Sequence, residues 1–162
     1  MKRIRVAAMF VFTTVLATSA FGQALPTTKV LTFDAAQAIA QAAMAKCRAD
    51  GYKVTVVVVD SLNMPLVMLR DDGAVPATTE FAKMKATTTM YYSKATGPAQ
   101  PLPPGTPTPP APIAGTHNAP GGVPVKSGDY VIGAVGVAGG PGGDKDAVCA
   151  NAGVAKIADL LK

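Results

Sequence analysis

The sequence is poor in the side chains that build most protein metal sites. Among 162 residues it has one histidine, His117, and two cysteines, Cys47 and Cys149. A zinc site takes three or four protein ligands, so a lone histidine does not make one. The two cysteines have the wrong spacing for a metal-binding pair, and neither has a histidine nearby. Local motifs therefore give no indication of a zinc site.

The sequence also lacks a cluster of Lys and Arg of the nucleic-acid-binding type. Its formal net charge is +5, but Lys2, Arg3 and Arg5 lie in an N-terminal segment that reads as a targeting signal, and about +2 remains without them. The aromatic residues are not interleaved with basic ones. We therefore expect no nucleic-acid partner.

The N-terminal segment, residues 1–22, has the order of a secretory signal peptide. A basic start is followed by an apolar stretch from Val6 to about Ala20 and then by small residues near a cleavage position at Gly22 or Ala24. The alternative is an uncleaved anchor, but a bilayer span needs about 20 apolar residues and threonines interrupt this run. No later segment is long and apolar enough to span. The sequence predicts a periplasmic or secreted protein without a stable membrane span.

The two cysteines leave two interpretations open. In an oxidising compartment Cys47 and Cys149 can form a single intramolecular disulfide. Alternatively, they are two small buried apolar side chains. The distance between them decides, and the sequence does not give that distance.

Hydrophobic periodicity and turn residues divide the exported part into seven elements. We expect helices over residues 33–49, 78–95 and 144–161, and strands over 54–59, 66–69, 121–125 and 130–138. Thr32 and Asp144 are expected N-caps, Gly51 ends the first helix, and Asn63 suits a tight hairpin turn. The order α-β-β-α-β-β-α around an antiparallel sheet predicts one α+β domain over residues 30–162.

One segment, residues 98–112, has a different composition. Eight of its fifteen residues are proline, which favours polyproline II and removes ladder donors. We expect a proline-rich surface loop or semi-rigid spacer. The alternative is a PxxP ligand for a partner protein.

Candidate chemistry is sparse, and most of it has two interpretations. No nucleophile–histidine–acid set is evident. The cluster Arg70-Asp71-Asp72 is either a solvated strand end or part of a pocket. Lys85 lies on the apolar face of the second helix. There are three interpretations of its side chain: it extends to solvent, it faces a polar pocket, or it meets a partner subunit. The glycines of 139–143 fit neither a P-loop nor a dinucleotide fingerprint; they form a flexible turn or help the last helix to hold an anion.

His117 is a candidate axial ligand for haem iron, which needs only one or two protein ligands. The alternative is an ordinary loop histidine. Five methionines also offer thioether sulfur, although packing is the commoner role of methionine. They are Met44, Met64, Met68, Met84 and Met90.

Taken together, several stretches resemble the GlcG/HbpS-like family, also called the DUF336 or haem-degrading family. The resemblance covers about residues 30–160 apart from the proline-rich segment, and it rests on the order and spacing of the stretches. They are Leu31–Ala36, Val56–Leu69 with Asp60, Arg70–Ala74, Ala82–Thr88, Gly121–Val125, Gly133–Gly140 and Asp144–Ala152. The chain departs from the family at Asn63, where glycine is usual, and in its lengthened proline-rich connection.

The resemblance implies a PAS- or profilin-like sandwich, a homo-oligomer, and a haem or related tetrapyrrole ligand. It also implies a ligand-binding cleft at a subunit interface. Seven residues of this chain correspond by position to the family's motifs, and the neighbouring Asp71 is added to them as a candidate. The full set is Arg70, Asp71, Gly73, Lys85, Gly122, Pro124, Gly136 and Gly139.

These observations favour an exported, oligomeric small-ligand-binding protein with haem as its cofactor or cargo. One alternative is an enzyme acting on haem or a small carboxylate, in which Arg70 and Lys85 bind the anion and Asp71 or Asp72 moves a proton. Another is an interaction protein whose proline-rich loop docks a partner.

Overall fold

A computed structural model of the chain describes residues 28–97 and 113–162. The predicted signal peptide and the proline-rich segment 98–112 lie outside these ranges. Helix α1 spans Phe33–Ala49, and the Thr32 side chain accepts a hydrogen bond from the Ala35 N–H, so the predicted N-cap is confirmed. Gly51 follows with a φ of 82°, the conformation expected of a glycine after a helix.

Four strands form one antiparallel sheet in the order β2-β1-β4-β3. They are β1 (Thr55–Asp60), β2 (Pro65–Arg70), β3 (Gly122–Ser127) and β4 (Tyr130–Ala138). The β1–β2 turn contains Asn63 in the left-handed conformation, with a φ of 61°. The β-branched strand β1 is central and almost fully buried, whereas β2 and β3 are the edges.

The central strand divides the core into two layers. Val56 and Val58 face the side of the sheet that α1 and the last helix cover, and their cluster includes Ile39 and Cys149. Val57 lies in the smaller cluster on the opposite side. There, α2 packs through Ala82 and Ala86 against the small side chains of β4. The result is a three-layer α/β/α sandwich, and the predicted α+β fold and element order are confirmed.

Two predicted helix ends were wrong. Helix α2 spans Thr78–Tyr92 and ends at Ser93, which takes a left-handed conformation, instead of continuing to residue 95. Helix α3 spans Gly143–Ala155, and a separate 3₁₀ turn follows at Ala158–Leu161. The N-cap of α3 is Gly142, so Asp144 lies inside the first turn.

Cys47 of α1 and Cys149 of α3 form a disulfide, with their Cα atoms 5.5 Å apart. Both residues are fully buried beneath the sheet. The disulfide interpretation therefore holds over the alternative of two unlinked apolar side chains.

Candidate functional site

A concave surface lies where α1 meets the edge strand β2. This α1–β2 groove has a volume of about 670 Å³, within the range common for small-molecule sites. Its lining residues are Gln41, Met44, Ala45, Arg48, Met68, Leu69 and Arg70. The lining thus combines apolar residues, two methionines among them, with Gln41 and two arginines.

Both arginines are held by the turn that follows β2, which we call the arginine turn (residues 71–74). An Nη2 atom of Arg48 donates to the Asp71 carboxylate at 2.9 Å. Arg70 donates through Nη2 to the Ala74 carbonyl oxygen. Gly73 has a φ of 81°, so this position favours glycine and lets the chain reverse within four residues.

Asp71 anchors the arginine turn from the inside. Its side chain is only 2% exposed, and its backbone N–H donates to the Val54 carbonyl at 2.9 Å. The hydrogen bond from Arg48 holds the pKa of Asp71 below its ordinary value, outweighing burial, and the charges of Arg48 and Lys53 act in the same direction. The Lys53 ammonium lies 3.8 Å from the second carboxylate oxygen. Asp71 is therefore a buried, ionised group.

Lys85 occupies a different environment, between α2, β4 and α3. Its ammonium is 2.7 Å from the Asp146 carboxylate and 2.9 Å from the Val137 carbonyl oxygen. Both side chains of the pair are 5% exposed or less. The other Asp146 oxygen accepts from the Gly140 N–H at 2.8 Å. Of the three interpretations of Lys85, the structure shows the one in which its side chain faces a buried polar site. Asp146 provides the carboxylate of that site.

The predicted cleft glycines lie at close backbone contacts. A Cβ on Gly136 would overlap the Ala82 carbonyl oxygen of α2, and one on Gly122 would lie 2.5 Å from the Lys85 carbonyl oxygen. Gly139 has a φ of 126° and lies against the backbone of Lys53. Pro124 lies in the edge strand β3, where a missing N–H is tolerated. In the isolated chain these positions allow α2 and the strands to approach closely.

His117 is on the α2 side of the sheet, outside the groove lining. Its ring packs against Phe81 with centroids 5.1 Å apart. Its backbone N–H donates to the Thr88 hydroxyl at 2.7 Å. The imidazole is half-buried, so it stays a candidate ligand separate from the groove.

The structure brings together three of the predicted site residues, Arg70, Asp71 and Gly73, and adds Arg48 and Met68 to them. Arg48 was not predicted as a site residue, because in the sequence it is only one of the basic residues in the last turn of α1. Its partner Asp71 lies 23 residues further along the chain. Spacing alone gives no indication of such a long-range pair.

The model of a protein family described as "Haem degrading protein HbpS-like" matches residues 31–155. The chain belongs to the HbpS-like family. No match was found among curated proteins.

Solved structures of HbpS-like proteins share this fold. A structure of HbpS is 36% identical with a TM-score of 0.70, and the match covers 85% of this chain and 97% of that one. A double mutant of Streptomyces reticuli HbpS is 31% identical with a TM-score of 0.69, covering 88% and 97%. A complex of PduOC with heme is 22% identical with a TM-score of 0.68, covering 80% and 96%, and shows likeness of fold. The predicted family resemblance is confirmed.

Within residues 28–97 and 113–162, no three His, Cys, Asp or Glu side chains are placed to hold a metal ion together. In the same ranges no helix has the length and apolar character that crossing a membrane requires.

Proposed function

We propose that this protein binds haem or a related tetrapyrrole in the α1–β2 groove. The observation that carries the proposal is the set of residues that line the groove, in which methionine, leucine and alanine occur together with two arginines. Membership of the HbpS-like family and the haem complex of a structural relative support the same ligand class.

The chemistry of these residues fits a haem. Thioether sulfur is an established ligand of haem iron, and Met68 in the edge strand β2 is 44% exposed. Guanidinium groups pair well with carboxylates, such as those on the rim of a natural haem. When bound, haem would supply an iron centre, with Met68 as a candidate iron ligand and an arginine as a candidate partner for a haem carboxylate.

The proposal is tested by titrating the purified protein with haem and following the Soret band. We compare wild type with Met68→Leu, His117→Ala and the control Met64→Leu, whose methionine is exposed in the β1–β2 turn. We expect a saturable band that shifts in Met68→Leu and is unchanged in His117→Ala and Met64→Leu.

Two results would change the assignment. Loss of the band in His117→Ala alone would identify His117 as the iron ligand, the role for which the sequence made it a candidate. The absence of a saturable change in wild type would reject haem as the ligand.

We also propose export and self-association. The buried disulfide supports export, because disulfides persist in oxidising compartments. Three exposed aromatic side chains on α2, Phe81, Tyr91 and Tyr92, support a contact between copies. Light scattering of the purified protein measures the oligomer directly; a monomeric mass at micromolar concentration would reject self-association.

A further inference from the structure

A smaller groove lies between the end of α2 and the β1–β2 turn. We call it the turn groove; its volume is about 340 Å³, and its lining residues are Ser61, Leu62, Asn63, Met90 and Tyr91. We propose that the proline-rich segment of the same chain, residues 98–112, docks in the turn groove through one side of a polyproline II helix. This proposal is independent of haem, because the proposed haem site lies between α1 and β2.

Both ends of the proline-rich segment are attached beside α2. The described range ends at Gly97, five residues after the last residue of α2. It resumes at Ile113, and the nearby His117 N–H donates to the Thr88 hydroxyl of α2 at 2.7 Å. Fifteen residues of polyproline II span about 46 Å, twice the length of α2. The segment is therefore long enough to reach the turn groove, and its attachment gives it a high effective concentration there.

Proline recurs at every third position of the segment. Polyproline II has three residues per turn, so residues three apart lie on the same side of the helix. Five prolines therefore form one continuous row, which we call the proline ridge: Pro98, Pro101, Pro104, Pro107 and Pro110. Aromatic-lined grooves bind such rows, because the preformed helix loses little entropy on binding.

The turn groove has the chemistry that suits this ligand. Tyr91 is 58% exposed and Leu62 is 79% exposed. The lining contains no charged residue, and neither does the sequence of the segment. The neighbouring Tyr92 ring instead contacts Lys94, whose ammonium lies 5.9 Å from the ring centroid. An uncharged proline ridge thus fits an uncharged groove with one exposed aromatic ring, and Phe81 and Tyr92 remain for the proposed contact between copies.

A buried polar atom among the groove residues also favours an occupant. Within residues 28–97 and 113–162, the Oδ1 atom of Asn63 is buried and has no hydrogen-bond partner. A buried acceptor without a donor is destabilising. The segment carries a backbone N–H donor at each residue that is not proline, so its docking can supply the missing partner.

The test is the reactivity of tyrosines in the purified protein toward tetranitromethane, located by tandem mass spectrometry. Wild type is compared with a ridge variant, in which all five prolines of the ridge are replaced by alanine. In dilute wild type we expect Tyr91 to be nitrated at least about fivefold more slowly than in the ridge variant. Tyr130, which is 77% exposed at the start of β4, is the internal control and should react equally in both.

Three further measurements show whether the ridge causes the protection. The matched control variant keeps the ridge and replaces the other prolines of the segment by alanine, and it should protect Tyr91 as wild type does. These prolines are Pro103, Pro109 and Pro112. Leu62→Ala, at an exposed position of the groove, should reduce the protection. A synthetic peptide of residues 98–112, added to the ridge variant, should restore it.

Equal nitration of Tyr91 in wild type and the ridge variant, or equal loss of protection in the matched control, would overturn the proposal. Protection that appears only at high protein concentration would assign the turn groove to a second copy and would also overturn it. The haem titration is a separate measurement, so failure of either proposal leaves the other standing.

Discussion

At the scale of single residues, Asp71 makes the stability of the protein depend on pH. Its folded-state pKa is lowered chiefly by the hydrogen bond from Arg48. A lowered pKa contributes stability that is complete above the unfolded value of about 3.9 and is lost as the pH falls through the lower folded value. We therefore expect Asp71→Asn to be less stable than wild type near pH 6, with the difference shrinking below about pH 4.

Urea unfolding between pH 3 and pH 7 measures this effect. Asp72→Asn is the matched control, because it removes the neighbouring carboxylate, which is exposed. A constant difference between Asp71→Asn and wild type across this range would mean that the carboxylate stabilises the fold by packing and not by its charge.

Sequence reasoning succeeded at residues whose role is local. Thr32 accepts a hydrogen bond from within its own helix, and Asn63 adopts the left-handed turn conformation. The prediction that Asp144 is the N-cap of the last helix was wrong. The helix begins earlier, at Gly143, and Gly142 is its N-cap. Sequence reasoning also missed Asp146 as the partner of Lys85, because 61 residues separate them.

At the scale of elements, the Lys85–Asp146 pair joins α2 to α3 beside the end of β4. Removing one partner of a buried ion pair leaves an uncompensated charge, which costs about 3–5 kcal/mol. We expect Lys85→Met to lose about that much free energy of unfolding. The double variant Lys85→Met, Asp146→Leu should lose less than the sum of the single variants.

Urea unfolding of the two single variants and the double variant gives these values. A cost below about 1 kcal/mol for Lys85→Met would place the pair among weak, solvated ion pairs. Haem titration of folded Lys85→Met gives a second result. We expect unchanged affinity, since Lys85 does not line the groove. A large loss would favour the alternative in which Lys85 binds the ligand anion.

Element order was predictable because periodicity reports which face of each segment is buried. The ends were less predictable, because they depend on partners elsewhere in the fold. The last helix stops at Ala155, and the 3₁₀ turn that follows returns the chain to β3, where the Ser127 hydroxyl donates to the Leu161 carbonyl oxygen. A continuous apolar pattern through residue 161 therefore concealed a break in the helix.

At the scale of the whole molecule, the sandwich places its chemistry on separate faces. The groove with Arg48 and Arg70 lies at the β2 edge beside α1, whereas His117 lies on the α2 side. From sequence alone Arg70 and His117 were both candidates for ligand binding, and the distance between them was unknown because the order of strands in the sheet was unknown. The topology therefore gives two separate candidate positions for the ligand, which mutations can distinguish.

The disulfide also acts on the whole molecule, because it closes a loop of 102 residues. A link of that span reduces the entropy of the unfolded chain and is worth about 2–5 kcal/mol. We expect Cys47→Ala, Cys149→Ala to lose stability within that range, measured by urea unfolding against oxidised wild type. Since both cysteines are fully buried, reduction of the folded protein should be slow unless denaturant is present.

The same bond links the fold to the predicted export signal. Cytosolic thiols are kept reduced, so a buried disulfide is expected to form only after export. Thiol alkylation under denaturing conditions, read by mass spectrometry, should label no cysteine in the full-length gene product recovered from the periplasm or medium. The matched control lacks residues 2–22 and remains in the cytosol, where both Cys47 and Cys149 should be labelled. Labelling of both cysteines in exported protein would show that export and disulfide formation are unconnected. An unlabelled cytosolic control would show that folding alone is sufficient to form the bond.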